Sequence, residues 1–281
     1  MSRHRIGFMQ GRLCPPVHGK IQAFPSADWR AEFPTAQAEG FDVVEWIFEA
    51  PRSEENPLWS DAGVAEIQAL SQRHSVAVES ICADYFMERP FFRGGSAERG
   101  ASVGVLRRIL ERAQQVGAAM VEIPMVDASR LKTPQEIEEL LAVLKDAAPE
   151  ARRLGLKITL ETDLPPDAFA ALLERCPQGV GANYDIGNSA ALGYAPGEEL
   201  SRIGCWVMNV HVKDRLRGGT TVPLGSGNAD FEAAFAGLAR AGYAGSFVLQ
   251  TARRPGDDVA AAREYKCMTA DWIGQAFGAA R

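Results

Sequence analysis

The 281-residue chain predicts a (β/α)8 barrel built by one domain, residues 1–281. Three observations predict it. Short strand-like runs recur eight times, and each is followed by a segment of helical spacing, the pattern of a parallel sheet with crossover helices. The length suits one α/β barrel. No GxGxxG turn follows the first run, which disfavours the main competitor, an open doubly wound sheet.

The first run is Arg5 to Leu13, ending in Gln10 and Arg12. Ser26 or Asp28 is placed to cap a helix that Gly40 stops. FDVVEWIFE, 41–49, is the second strand, with Glu45 and Glu49 near its end, and 61–74 has helical spacing at Val64, Ile67, Ala69 and Leu70. VAVESICAD, 76–84, is the third strand. An aromatic, basic loop follows, and Ser96 is a candidate cap for a helix reaching Gly117. AMVEIPMVD, 119–127, is the fourth strand, and Thr133-Pro134 with Glu136 opens the next helix. Strands five to eight are read at 156–164, 179–188, 206–214 and 245–253, with helices from 166, 230 and 257. No stretch has the composition of a linker or of a second domain.

Hydrophobic residues make up 46% of the chain and charged residues 23%, the mix of a globular protein with a sizeable core. A net charge of -6 disfavours a nucleic-acid partner, which needs a basic face to replace phosphate counterions. The five cysteines are scattered without a CxxC pair, so reduced thiols and a cytoplasmic location are expected. The N-terminal segment does not read as a signal peptide, and no apolar run approaches the roughly 20 residues a membrane span needs.

The chemistry is expected at the strand ends, because barrels of this kind place their sites where the loops after the strands converge. WVMNVHVKD, 206–214, alternates as a strand, so His211, Lys213 and Arg215 share one face where the strand emerges. Glu161, Asp185 and Gln250 close comparable runs in LKITLETD, VGANYDIGN and GSFVLQTAR. Neighbouring strands stand about 4.8 Å apart, so four successive ends can surround one ion. Two carboxylates, an imidazole and an amide oxygen suit one divalent metal ion (Mn²⁺, Mg²⁺, Co²⁺, Fe²⁺ or Zn²⁺) without choosing among them. Residues of these types at strand ends also serve as ion pairs or loop solvation, and a strand histidine is often structural.

From LETD through NYDIGN and NVHVKD to LGSGNADF, the chain resembles the xylose-isomerase-like barrel superfamily of sugar isomerases and epimerases, and most of all its L-ribulose-5-phosphate 3-epimerase-like members. The resemblance implies one divalent metal held by Glu, Asp, His and Glu on strands five to eight. The first three fall on Glu161, Asp185 and His211, and the fourth on Gln250. It also implies that the first and fourth carboxylates are acid/base groups on opposite faces of a sugar carbon. A glutamine cannot take a proton near pH 7, which leaves three readings. Glu161 alone shuttles a proton across an enediol, or Glu122, Glu79 or Asp163 supplies a second base, or only sugar binding remains.

The leading expectation is therefore a metal-dependent isomerase or epimerase of a sugar or sugar phosphate, with Glu161 as catalytic base. A dehydratase of the inosose dehydratase kind is the alternative on the same barrel, and abasic-site endonuclease relatives use more histidines than this chain offers. Arg12, Asn188, Lys213, Arg215 and Arg217 are the candidate substrate-binding residues. Arg253 faces the same rim, and GGTTVPLGSGNADF supplies glycines whose N–H groups suit an anion. Trp46, Phe48, Trp59, Tyr85, Phe86, Phe91 and Phe92 would wall the pocket, cover the rim or form a contact between copies, and a homo-oligomer is expected on the resemblance.

Overall fold

Alternation at a period of two sends one set of strand side chains inward and the other against surrounding helices, and here the resulting sheet closes on itself. The computed structural model describes residues 4–50 and 53–278, so residues 1–3, 51–52 and 279–281 of the expected domain lie outside the described residues. The barrel strands are β1 (Ile6–Met9), β2 (Val43–Ile47), β3 (Ala77–Cys82), β4 (Met120–Met125), β5 (Lys157–Thr162), β6 (Val180–Asp185), β7 (Val207–Val212) and β10 (Phe247–Leu249). Each pairs in parallel with its sequence neighbour, and β1 pairs with β10 through Ile6 and Phe247 to close the ring. The expected barrel is present, with every strand shorter than its run.

A two-stranded antiparallel hairpin, β8 (Asp214–Arg215) with β9 (Thr221–Val222), rises from the end of β7. The helices are α1 (Trp29–Ala38), α2 (Asp61–His74), α3 (Tyr85–Glu88), α4 (Ser96–Val116), α5 (Pro134–Arg153), α6 (Pro166–Arg175), α7 (Ile186–Leu192), α8 (Pro196–Ile203), α9 (Phe231–Arg240) and α10 (Asp258–Gly278). Local chemistry sets their ends. Thr133 Oγ1 accepts from the Glu136 N–H while Glu136 Oε2 accepts from the Thr133 N–H, the reciprocal cap that the sequence signals. For α4 the cap position is Gly95 rather than Ser96, with Glu98 reaching back to its N–H. Gly117 ends α4 at a φ of 84°, a conformation that favours glycine.

Of the roles open to the aromatic residues, the packing matches a cover for the rim. Phe48 stacks on Trp59 at 5.0 Å between centroids, and Tyr85, Phe86, Phe91 and Phe92 continue edge to face. Apart from Trp59, which is half-buried, these rings and Trp46 are buried. They seal the loops after β2 and β3 against the barrel and contribute about 0.5–1.5 kcal/mol per ring pair beyond area burial.

Candidate active site

Two irregularities in strand pairing prepare the site. The β2–β3 register shifts between Val44 and Glu45, and the β6–β7 register shifts between Ala182 and Asn183. A bulge re-aims the side chains beyond it, and both lie just before polar residues that face the interior. Beyond them Glu45 pairs with Ser80, Asn183 with Asn209 and Asp185 with His211. Met9, directly across from Glu45, is likewise buried. A polar nest thus fills the upper barrel.

His211, with 0% exposure, is its centre. Its Nε2 donates to Glu45 Oε1 at 2.6 Å and lies 3.8 Å from Glu122 Oε2. On the other side Nδ1 lies 3.4 Å from Glu161 Oε2 and 3.8 Å from Asp185 Oδ2. Asn183 Nδ2 donates to Glu161 Oε2 at 2.7 Å and Asn188 Nδ2 to Glu161 Oε1. Asp185 ends β6 and caps α7, its Oδ1 accepting from the Asn188 N–H at 2.8 Å, so a helix start fixes the carboxylate. Its Oδ2 accepts from Lys213 Nζ at 3.2 Å, and Lys213 also donates to Gln250 Oε1 at 2.9 Å.

Charge follows from this crowding. Burial pushes the His211 ring down, but the Glu45 and Glu122 charges and the hydrogen bond to Glu161 hold its pKa well above the usual imidazole range. Burial raises the Glu161 carboxyl, yet its hydrogen bond to His211 and that ring's charge outweigh burial and bring it to about 2. Burial keeps Glu122 well above the carboxylate range. Burial also raises Asp185, against the pull of Lys213.

Above the nest opens a cavity of about 680 Å³, lined by Glu122, Glu161, Asn188, Lys213, Arg215 and Gln250 together with Asp84, Glu88, Asp127, Thr220 and Thr221. The cluster Glu122, Glu161 and His211, like Glu45, Cys82 and Glu122, has donor atoms within 4.8 Å of one another. Glu161 Oε2 and His211 Nδ1, 3.4 Å apart, stand at a separation that donors around one ion, each at about 2.0–2.2 Å, would show. Glu122 Oε2 and Asn183 Oδ1 are buried without a partner, so the nest has acceptor capacity beyond its own protons. Glu122, Glu161 and His211 therefore offer grouped donors for a divalent cation. Gln250 Oε1 and Asp185 Oδ2 both accept from Lys213 Nζ.

The other sequence candidates divide. Arg215 reaches the cavity, its Nη1 donating to Asn188 Oδ1 at 2.7 Å while Nε and Nη2 donate to the Gly219 carbonyl. Arg12 stands behind the wall, donating to the Thr251 carbonyl and to Gln22, and burial lowers its pKa to about 10. Arg217 is exposed and packs over Gly193. Arg253 turns back onto the Gly11 and Cys14 carbonyls. The glycine loop does not offer its N–H groups to an anion, because those of Gly225, Gly227 and Ala229 donate to the buried Asp214 carboxylate. Among the second-base candidates, Glu122 lines the cavity. Glu79 instead pairs with Arg5 and accepts from Ser246 at the opposite end of the barrel. Asp163 accepts from the Asp127 N–H and holds that loop.

Sequence reasoning gave no role to Ser80, Asn183 and Asn209, nor to Glu45 beyond its position. Their signal was a polar residue inside a strand, in phase with the terminal one: Asn183 with Asp185, and Asn209 with His211. Gln22, in the loop after β1, gave no signal.

A family model described as xylose isomerase-like TIM barrel matches residues 33–270. The chain belongs to that family. L-ribulose-5-phosphate 3-epimerase UlaE of Salmonella paratyphi C (strain RKS4594) is 27% identical over 265 residues, covering 87% of this chain and 91% of that one. The solved structure of an L-ribulose 3-epimerase superposes with a TM-score of 0.78 at 16% identity, covering 98% of this chain and 96% of the other. The IOLI protein, solved with a binding zinc atom, superposes with a TM-score of 0.77 at 16% identity, covering 97% and 99%. Membership agrees with the resemblance carried by NYDIGN and NVHVKD. Among the described residues of this xylose isomerase-like barrel, no helix is long and apolar enough to cross a membrane.

Proposed function

We propose that the protein moves a proton at the carbon beside a sugar carbonyl, with Glu161 as base and a divalent cation at Glu161, Asp185 and His211. It is an enzyme of the sugar isomerase and epimerase class, and sugar phosphates such as L-ribulose 5-phosphate are its first candidate substrates. The observation that carries the reading is the grouping of Glu122, Glu161 and His211 donor atoms, with both carboxylates lining the cavity. Its relatives support it, since one is a ketose-phosphate epimerase and another was solved with zinc.

Bound there, a divalent cation supplies Lewis-acid stabilisation of the charge that develops on substrate oxygen. The rest is done by side chains. Glu161 is ionised at neutral pH and so stands in the proton-accepting form. Asn183 and Asn188 fix both of its oxygens, which sets the direction of attack. Glu45 fixes the far side of the His211 ring. With a glutamine at 250, Glu161 is the base on one face only, which favours return of the proton to the neighbouring carbon.

L-ribulose 5-phosphate and free ketoses would be incubated with the Mn²⁺- or Zn²⁺-loaded protein, following carbon-bound deuterium uptake and product mass. The expected result is exchange with unchanged mass, abolished in Glu161→Gln at an unchanged melting temperature. Loss of water from the product would shift the assignment to dehydration. Activity retained by Glu161→Gln would remove its role as base.

A further inference from the structure

Gln250 is where this chain departs from the family's two carboxylates, and the surroundings of that amide show what it serves. Lys213 leaves β7 two positions after His211 and so takes the same face. Gly187 makes room for it, since a Cβ there would meet the Lys213 side chain at 2.7 Å. An ammonium has three N–H donors. One is given to Asp185 Oδ2 and one to Gln250 Oε1, and Lys213 lines the cavity into which the third is free to point.

The amide itself is oriented from behind. Gln250 Nε2 donates to Gln22 Oε1 at 3.0 Å, and Gln22 Nε2 donates to Asp84 Oδ2 at 2.8 Å. The donor end of Gln250 is thereby committed to Gln22, and its oxygen is left for Lys213. A glutamate at this position has no proton for Gln22 at neutral pH and would face its oxygen with like polarity.

Resting on the function proposed above, we infer that Lys213 is a substrate-contacting catalytic residue, and that Gln250 is its positioning residue rather than a donor to the cation. As Glu161 removes the proton beside the carbonyl, the C–H electron pair moves into the adjoining carbon–carbon bond and the carbonyl pair onto oxygen. The free Lys213 N–H donates a hydrogen bond to that oxygen, and the bond strengthens as negative charge grows there. Lys213 keeps its proton throughout. When Glu161 returns the proton to the neighbouring carbon, the hydroxyl proton on that carbon's oxygen passes across the enediolate to the oxygen facing Lys213, the charge collapses and the hydrogen bond relaxes. A fixed donor of this kind is typically worth about 10²–10³ in kcat.

The test measures kcat and KM for L-ribulose 5-phosphate, together with Mn²⁺ affinity by titration, on Lys213→Met, Gln250→Met and His211→Ala. Lys213→Met is expected to lose about 10²–10³ in kcat without weaker Mn²⁺ binding. Gln250→Met should lower kcat with KM little changed and keep its Mn²⁺ affinity within about threefold, because a mispositioned lysine loses only transition-state contact. Gln250→Glu, measured alongside, should not raise kcat. A Gln250→Met variant that loses Mn²⁺ affinity as His211→Ala does would make Gln250 a cation donor and overturn the inference. So would a fully active Lys213→Met. Failure of the underlying reading looks different: the parent would not turn over L-ribulose 5-phosphate, or His211→Ala would bind Mn²⁺ unchanged.

Discussion

Glu45 is a carboxylate with 0% exposure, and such a group persists in a barrel only when donors surround it. Ser80 Oγ, Asn209 Nδ2 and His211 Nε2 all donate to it. The last contact decides which ring nitrogen of His211 faces Glu161 and Asp185. Partners of this kind orient a metal-binding histidine and typically govern about 10–100-fold in affinity. Glu45→Gln is therefore expected to weaken Mn²⁺ binding by that factor and to lower turnover in proportion. The shape of the side chain is kept, so near-native circular dichroism should accompany the loss. An unchanged Mn²⁺ titration would mean that Asn183 and the ladder alone hold the ring. Glu161, Asp185 and His211 stood out in the sequence because each lies near the end of a strand-like run. Glu45 and Asn183 were harder to assign because each sits inside its strand rather than at its end, beside a shift in register that the sequence does not show.

At the scale of elements, the hairpin of β8 and β9 is the piece that strand periodicity could not show. Each of its strands has two residues, too few for a period to register. Glycines in the segment that follows suggested anion binding, but they serve Asp214. A Cβ on Gly227 would meet Asp214 Oδ1 at 2.2 Å, so glycine there lets the chain wrap the carboxylate closely. The clamp holds Arg215, Thr220 and Thr221 as one wall of the cavity. Asp214→Ala removes the acceptor for three backbone N–H groups and should cost about 2–4 kcal/mol in a urea titration. It should also raise KM for L-ribulose 5-phosphate, since the wall loses its anchor. Destabilisation with KM unchanged would show that the hairpin does not contact substrate. The eight barrel strands were legible because each is followed by a helix, but their ends were not. At those ends the chain leaves the ladder for side-chain partners distant in sequence, as where the Ile47 N–H donates to Gln10 Oε1.

For the molecule as a whole, closing the ring places β1 beside β10, and the long loop after β1 must be held down across that seam. Glu32 of α1 does this from the outer layer, accepting from the Gly11 N–H at 2.8 Å and the Leu13 N–H at 3.1 Å. Burial pushes its carboxyl up to about 7, although those two N–H groups and the Arg253 and Arg12 charges pull it down. Its second oxygen, Oε2, has no partner, in keeping with a proton held there. Unfolded, Glu32 titrates at an ordinary carboxylate pKa, about 4.3. Between that value and about 7 the folded chain therefore binds more protons than the unfolded one. Stability attributable to Glu32 is then fully present at low pH, falls as pH rises through this window, and levels off above it. An offset of this size is worth on the order of 3 kcal/mol. Other carboxylates add slopes of their own, so the comparison needed is with Glu32→Gln, which keeps an acceptor for both N–H groups but does not titrate. Between pH 5 and 8 the parent should lose more unfolding free energy than this variant, and the difference curve should bend near pH 7. Parallel curves would show that Glu32 is ionised in the folded protein and that Arg12 and Arg253 outweigh its burial.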